Sequence, residues 1–317
     1  MTASLFEHDV DLETLADEIA SDDPQRRRVA VLALGDSGEP EVVTLLCRLG
    51  ADTDAGVRRQ VALGLGTFDG PVAAASLVTL LCDSDPDVAK AASESLSGIK
   101  DADSAPVLIA AIKHPSPFVR ASILRGLKEL RSSLSWGPAV EALQDEDAEV
   151  RVEAVGVIGF LKREDTVPAL QSAAKDVEPA VRRSAIGALG FSRTAGAVAT
   201  LVRALGDPEW PVRESAAETL GLSKAEGFEA GPLIAALDDA YWQVRLKAVR
   251  SLGQMDFAEA ALRIAESLQH PEANLRKEAA AALGRLARQE TRPFLEQAIS
   301  DPDADVRKNV RWALSRL

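Results

Sequence analysis

The chain has 317 residues and a formal net charge of -13, from 49 Asp and Glu against 36 Lys and Arg. Acidity on this scale argues against non-specific binding to nucleic acid or an anionic membrane, which both reward a basic surface, and no apolar run approaches the roughly 18 to 20 residues that span a bilayer. Apolar residues reach 46% but aromatics only 4%, so the core must be built mainly from Ala, Leu and Val, which suits closely packed helices.

Met1 to Asp11 is acidic and has no apolar signal segment, which points to a soluble cytoplasmic protein. The two cysteines, Cys47 and Cys82, read as ordinary buried residues. Asp11 to Ala20 predicts a first helix with a polar outer face of Glu13, Asp17 and Glu18, opening an N-terminal capping repeat over residues 11–35. One motif then recurs ten times, most clearly as Asp176-Val177-Glu178-Pro179-Ala180-Val181-Arg182-Arg183-Ser184-Ala185-Ile186-Gly187-Ala188-Leu189-Gly190. Its arginine falls at Arg27, Arg58, Arg120, Arg151, Arg182, Arg213, Arg245, Arg276 and Arg307, with Ala89 in the one gap. The spacing is 31 except for a 32 between Arg213 and Arg245, where one residue is inserted near Gly227-Phe228-Glu229. A fixed period of this length marks a solenoid rather than a globular core.

Each repeat predicts two helices. Four residues before the arginine stands a capping residue (Asp23, Asp54, Asp85, Ser116, Asp147, Asp303), often followed by Pro, the expected helix start. Seven residues after it stands Leu, or Ile158, and in seven of ten repeats Gly follows, as suits a C-terminal cap of positive φ. A second helix fills the space before the next motif, as over Thr166–Ala174, Ala197–Leu205 and Ala260–Leu268. Central repeats span 36–299. A capping helix closes the array over 300–317, where Arg311 replaces the Val31, Leu124 or Ile186 of other repeats. The domain expectation is a single solenoid over 1–317.

Asp-Pro-x-x-x-Val-Arg, an Ala-rich helix and Leu-Gly together resemble the short HEAT-like repeat first described in phycobilin lyases, over residues 11–317. The resemblance implies an all-α fold, an α-solenoid wound as a right-handed superhelix of about ten two-helix repeats, with the motif helix lining the concave side. It does not fix function, since the family holds chromophore lyase subunits, deoxyhypusine hydroxylase, HEAT-like DNA glycosylases and many scaffolds.

The hydroxylase pattern needs His-Glu pairs for iron, and none of His8, His114 and His270 is followed by Glu. His114 and His270 occupy the turn place held elsewhere by Asp52, Asp83, Asp145, Asp176, Asp207, Asp239 and Asp301, and read as turn-capping substitutes. No catalytic, cofactor or metal residue is assigned. The recurring arginine admits a phosphate-binding stripe or a ladder onto the turn aspartates; because Arg and Asp recur together, the ladder is preferred.

Core positions fall one before the arginine and three and seven after it, on one helical stripe. Positions three and two before, and one, two, five and nine after, are released to solvent. On that face the candidate partner-binding residues are Phe118, Phe160, Phe191, Trp210, Glu214, Glu218, Trp242, Lys247, Arg250 and Lys277. Phe160 and Phe191 also fit a reading in which they tuck between repeats. Glu214 and Glu218 would select a basic stretch; Lys247, Arg250 and Lys277 an acidic one. Exposed aromatics among charges are hot-spot chemistry, so the leading expectation is a non-enzymatic scaffold that binds a protein segment. A chromophore or cofactor lyase subunit, by resemblance half of a heteromeric complex, is the alternative, with Arg250 toward tetrapyrrole propionates. A nucleic-acid-processing role is opposed by Glu149, Glu153, Glu214 and Glu218 in the groove.

Overall fold

The computed structural model describes residues 12–223 and 228–317, and among them every regular element is helical. The stretch Met1–Asp11, the side chain of Glu13 and Gly227 of the insertion lie outside the described residues. No helix among the described residues is long and apolar enough to cross a membrane. The chain divides at Leu161 into two compact units, each an α-solenoid of five helix pairs.

In the first unit the motif helices are Pro24–Ser37, Ala55–Leu65, Pro86–Leu96, Pro117–Leu130 and Ala148–Leu161, each packed on the next. In the second they are Pro179–Ala188, Trp210–Ser223, Trp242–Gln254, Ala273–Leu286 and Ala304–Arg316, packed in the same serial way. The shorter second helices lie on their own motif helices and form the other layer. Several begin or end in a 310 turn: Thr166 closes the turn that precedes Val167–Ala173, and Ala261–Glu266 is bracketed by two such turns.

The core is the expected stripe. Val57, Val61 and Leu65 in one repeat, and Val244, Ala248 and Leu252 in another, are fully buried. Capping is also as expected at most starts: Asp23 accepts from the Gln25 N–H at 2.9 Å and Asp85 from the Asp87 N–H at 2.9 Å. Ser116 departs from the expectation, since its side chain makes no cap bond. The Leu-Gly glycines depart too. None has positive φ; five residues that do lie eleven after the motif arginine, at Gly38, Arg131, Lys162, Asp256 and Ala287, and Gly70 lies twelve after Arg58. Gly253 instead marks a close approach of helices, because a Cβ there would lie 2.8 Å from Ala282 Cβ. Small residues at this place let adjacent motif helices come together.

The arginine ladder is present within both units. Arg58 Nε and Nη2 donate to the two carboxylate oxygens of Asp83 at 2.6 and 2.8 Å, while Nη1 donates to Asp52 O at 2.9 Å and Thr53 O at 3.2 Å. Arg27–Asp52 and Arg120–Asp145 repeat this fork in the first unit, and Arg182–Asp207, Arg213–Asp239 and Arg276–Asp301 in the second. Asp83 Oδ1 also accepts from the Asp85 N–H at 2.8 Å. One aspartate thus closes its own turn and anchors the preceding repeat.

The Arg58 guanidinium holds the Asp83 carboxyl below the usual carboxylate range, against the opposing effect of burial. A carboxyl depressed in the folded state contributes stability above its unfolded value, near pH 4, that is lost as pH falls through the folded value. Asp83→Asn, which keeps an oxygen for the turn, is expected to cost about 2–4 kcal/mol near neutral pH, and the gap from wild type should narrow as pH falls below about 4. Urea denaturation across pH checks this; a gap independent of pH would mean that the carboxylate charge is not the source.

Candidate functional site

The solvent stripe of the motif helices is narrower than helical geometry alone suggests. Position two after the arginine lies against the neighbouring motif helix rather than in solvent: Ser122 is fully buried and its Oγ accepts from Ser93 Oγ at 2.8 Å. Where this position is charged, it pairs with position five of the preceding repeat. Arg125 Nε donates to Glu153 Oε1 at 2.9 Å, Lys247 Nζ to Glu218 Oε1 at 2.6 Å, and Arg250 Nη2 to Glu278 Oε2 at 2.8 Å. Lys277 is held by Asp305 at 2.9 Å.

Four of the five candidate charges, Glu218, Lys247, Arg250 and Lys277, are therefore engaged within the chain. Helix-wheel reasoning treats each helix alone, so it assigns them to solvent and misses the lateral bonds. Glu214 differs: it is half-buried, and no basic nitrogen among the described residues lies within 4.0 Å of it.

The candidate aromatics keep accessible surface. In the first unit Phe118 is 43% exposed and Phe160 38% exposed, with the Arg131 guanidinium carbon 4.7 Å over the Phe160 ring. In the second unit Phe191, Trp210 and Trp242 are half-buried. Trp210 stacks on Tyr241 with centroids 5.4 Å apart and planes 16° from parallel, and Arg213 lies 5.7 Å from the same tyrosine ring. Trp210 and Trp242 open their motif helices, so both stand at the turn edge of the layer.

Tyr241, 46% exposed, is absent from the sequence-derived set. Its signal was available: it occupies the helix-capping position that holds Asp, Glu or Ser in the other repeats. The helix it precedes has no side-chain cap. An aromatic residue has displaced a capping one.

Two internal rungs of the ladder are altered. At Ala89 the arginine is missing, and the residue opposite it is His114; at Arg245 the arginine remains but the residue opposite is His270. Both imidazoles act as turn caps through Nδ1, accepting from the N–H of Ser116 at 3.2 Å and of Glu272 at 3.1 Å. Beside the first lies an open cleft of about 510 Å³ that includes Cys82, Ala89, His114 and Phe118. Cys82 Sγ is 3.5 Å from His114 Nε2. Cys82 is exposed and Cys47 half-buried, which corrects the reading of both as buried: Cys82 stands just before the turn residue, at a place that is also exposed as Lys113, Gln144 and Lys175 in other repeats. Among the described residues no three His, Cys, Asp or Glu side chains are grouped to hold a metal ion.

A family model for HEAT repeats matches residues 12–97, 79–135, 138–221 and 230–315. No curated protein matches in sequence. Two solved structures are similar in fold. An Escherichia coli protein, YibA, is 18% identical with a TM-score of 0.54 over 100% of this chain and 98% of that one. An engineered protein is 19% identical with a TM-score of 0.51 over 96% and 98%.

The lateral ion pairs separate structural from free charge on this face. Arg250→Ala is expected to lower stability by about 1 kcal/mol, and Glu214→Ala to leave it within about 0.5 kcal/mol. Urea midpoints of the two variants decide; equal effects would show that the Arg250–Glu278 bond contributes nothing.

Proposed function

Because the chain belongs to the HEAT-repeat family, we propose that it is a non-enzymatic recognition scaffold that binds a protein segment on the motif-helix edge of residues 162–317. The observation that carries this reading is the Trp210–Tyr241 stack, with nearly half of Tyr241 open to solvent. Stacked rings lose little side-chain freedom when a partner covers them, and aromatic anchors dominate binding energy at protein interfaces. The platform is also held from beneath. Arg213, beside the Tyr241 ring, is itself forked onto Asp239 at 2.6 and 3.0 Å, so the aromatic pair sits on a fixed turn.

Recognition chemistry at this edge comes from Trp210, Tyr241, Trp242 and Glu214, which has no basic partner among the described residues. An aliphatic or aromatic side chain of the partner would cover the rings, and a lysine or arginine near it would meet Glu214. The charges bonded between repeats, Glu218, Lys247 and Arg250, serve the fold and set the flanks.

Affinity capture from the native host, with wild type beside a Trp210→Ala/Tyr241→Ala variant, tests the proposal. A protein retained by wild type should bind the variant more weakly by roughly 1–3 kcal/mol in calorimetry, while circular dichroism shows unchanged helical content. Equal affinity would remove the turn-edge aromatics from the interface and overturn the reading.

A further inference from the structure

Arg245 keeps the arginine of the ladder without its carboxylate. In the same unit Arg182, Arg213 and Arg276 each fork onto an aspartate of the following turn, through bonds of 2.6–3.0 Å. Arg245 stands at the same place on Trp242–Gln254, but the residue of the following turn is His270. Its Nε donates instead to the main-chain oxygen of Asp239. No carboxylate oxygen among the described residues lies within 4.0 Å of its guanidinium. Asp239, the carboxylate of its own turn, is already held by Arg213. Arg307 also lacks a fork, but it lies on Ala304–Arg316, the last described helix. A half-buried guanidinium with no carboxylate oxygen within 4.0 Å among the described residues is a costly arrangement.

The surroundings supply a second donor. His270 Nδ1 accepts from the Glu272 N–H at 3.1 Å, so the neutral ring carries its proton on Nε2. Arg245 and His270 line one cleft of about 250 Å³ with Ser267, Gln269 and Arg263. Two carboxylates, Asp238 and Glu266, also line this cleft; both pair with Arg263, at 2.8 and 3.4 Å. Neither lies within 4.0 Å of the Arg245 guanidinium.

We propose that Arg245 and His270 form a carboxylate-binding site, filled by an aspartate or glutamate side chain of a partner protein. The sister rungs show what fits: a carboxylate gripped by Nε and Nη2 of the arginine. A side-chain carboxylate would restore that arrangement once the guanidinium passes the Asp239 carbonyl from Nε to Nη1, the nitrogen that serves the own-turn carbonyl in the sister rungs, and would add a bond from the imidazole. The cleft has room for a side-chain head group. The nature of the occupant rests on the scaffold reading; the site itself does not.

Free acetate is the probe. Burial and the nearby Arg245, with a smaller effect of Arg276, hold the His270 imidazole below its ordinary range, while Glu272 opposes them. An anion docked against both groups must raise it. In an NMR titration of the His270 ring at matched ionic strength, the midpoint in saturating acetate should lie above that in chloride by about half a unit. Arg245→Gln should abolish the difference. His270→Asp should raise Tm by closing the rung within the chain, and should remove any effect of acetate on Tm. Identical His270 midpoints in acetate and chloride would overturn the site. A response to inorganic phosphate but not to acetate would overturn the carboxylate assignment. If His270→Asp fails to fold, as judged by circular dichroism, the wild-type and Arg245→Gln titrations decide alone. An acetate response alongside failure of the aromatic capture test would leave this site standing without that interface.

Discussion

The structure depends on a fork: one guanidinium gripping the aspartate of the following turn while donating to two carbonyl oxygens of its own. Arg120 shows all parts, with Asp145 at 2.7 Å on both oxygens and the carbonyls of His114 and Pro115 at 2.9 and 2.8 Å. A repeat of two short helices cannot bury its apolar face alone. Packing of Val, Ala and Leu draws neighbours together, but such small side chains leave the angle loosely specified. The fork is directional, planar and largely shielded from water, so it fixes how one turn sits on the next.

The same economy governs the motif-helix face. Neighbouring helices approach closely enough for residues such as Gly253 to be required, so the side chains flanking the contact cannot all reach solvent. Position five of one repeat then meets position two of the next, and charges there bond each other. The aromatics Trp210, Tyr241 and Trp242 stand instead at the turn edge, outside these lateral bonds. In a repetitive chain, function is best sought where a residue breaks the rule that every other repeat obeys. Tyr241 in a capping place and His270 in a carboxylate place are such breaks, and they flank one motif helix.

The period, the Val-Ala-Leu core stripe, the helix starts and the arginine–aspartate pairing were all legible in the sequence, because each is a local rule repeated until it stands out. The lateral bonds of Glu218, Lys247 and Arg250 were not, since they depend on the distance between helices rather than on any one helix. The Leu-Gly glycines were misread for a related reason: a glycine at a helix end suggests a left-handed cap, whereas Gly253 answers contact with Ala282. The cap itself falls later, at Arg131, Asp256 or Ala287, residues with no such signature. Cys82 was misread although a signal was available: the same place holds Lys113, Gln144, Lys175 and Gln269 in other repeats, and it is exposed in each of them. That the candidate aromatics keep accessible surface was legible; the stacking of Trp210 on Tyr241 was not.

The central claim is that the fork couples repeats, and a double-mutant cycle on Arg120 and Asp145 tests it most directly. Arg120→Met and Asp145→Asn remove the charges while keeping bulk and the turn acceptor. The predicted coupling is about 1–3 kcal/mol, against nearly zero for the exposed Lys113–Glu141 pair, 3.4 Å apart. Additive effects at Arg120 and Asp145, equal to those of the exposed pair, would contradict the account.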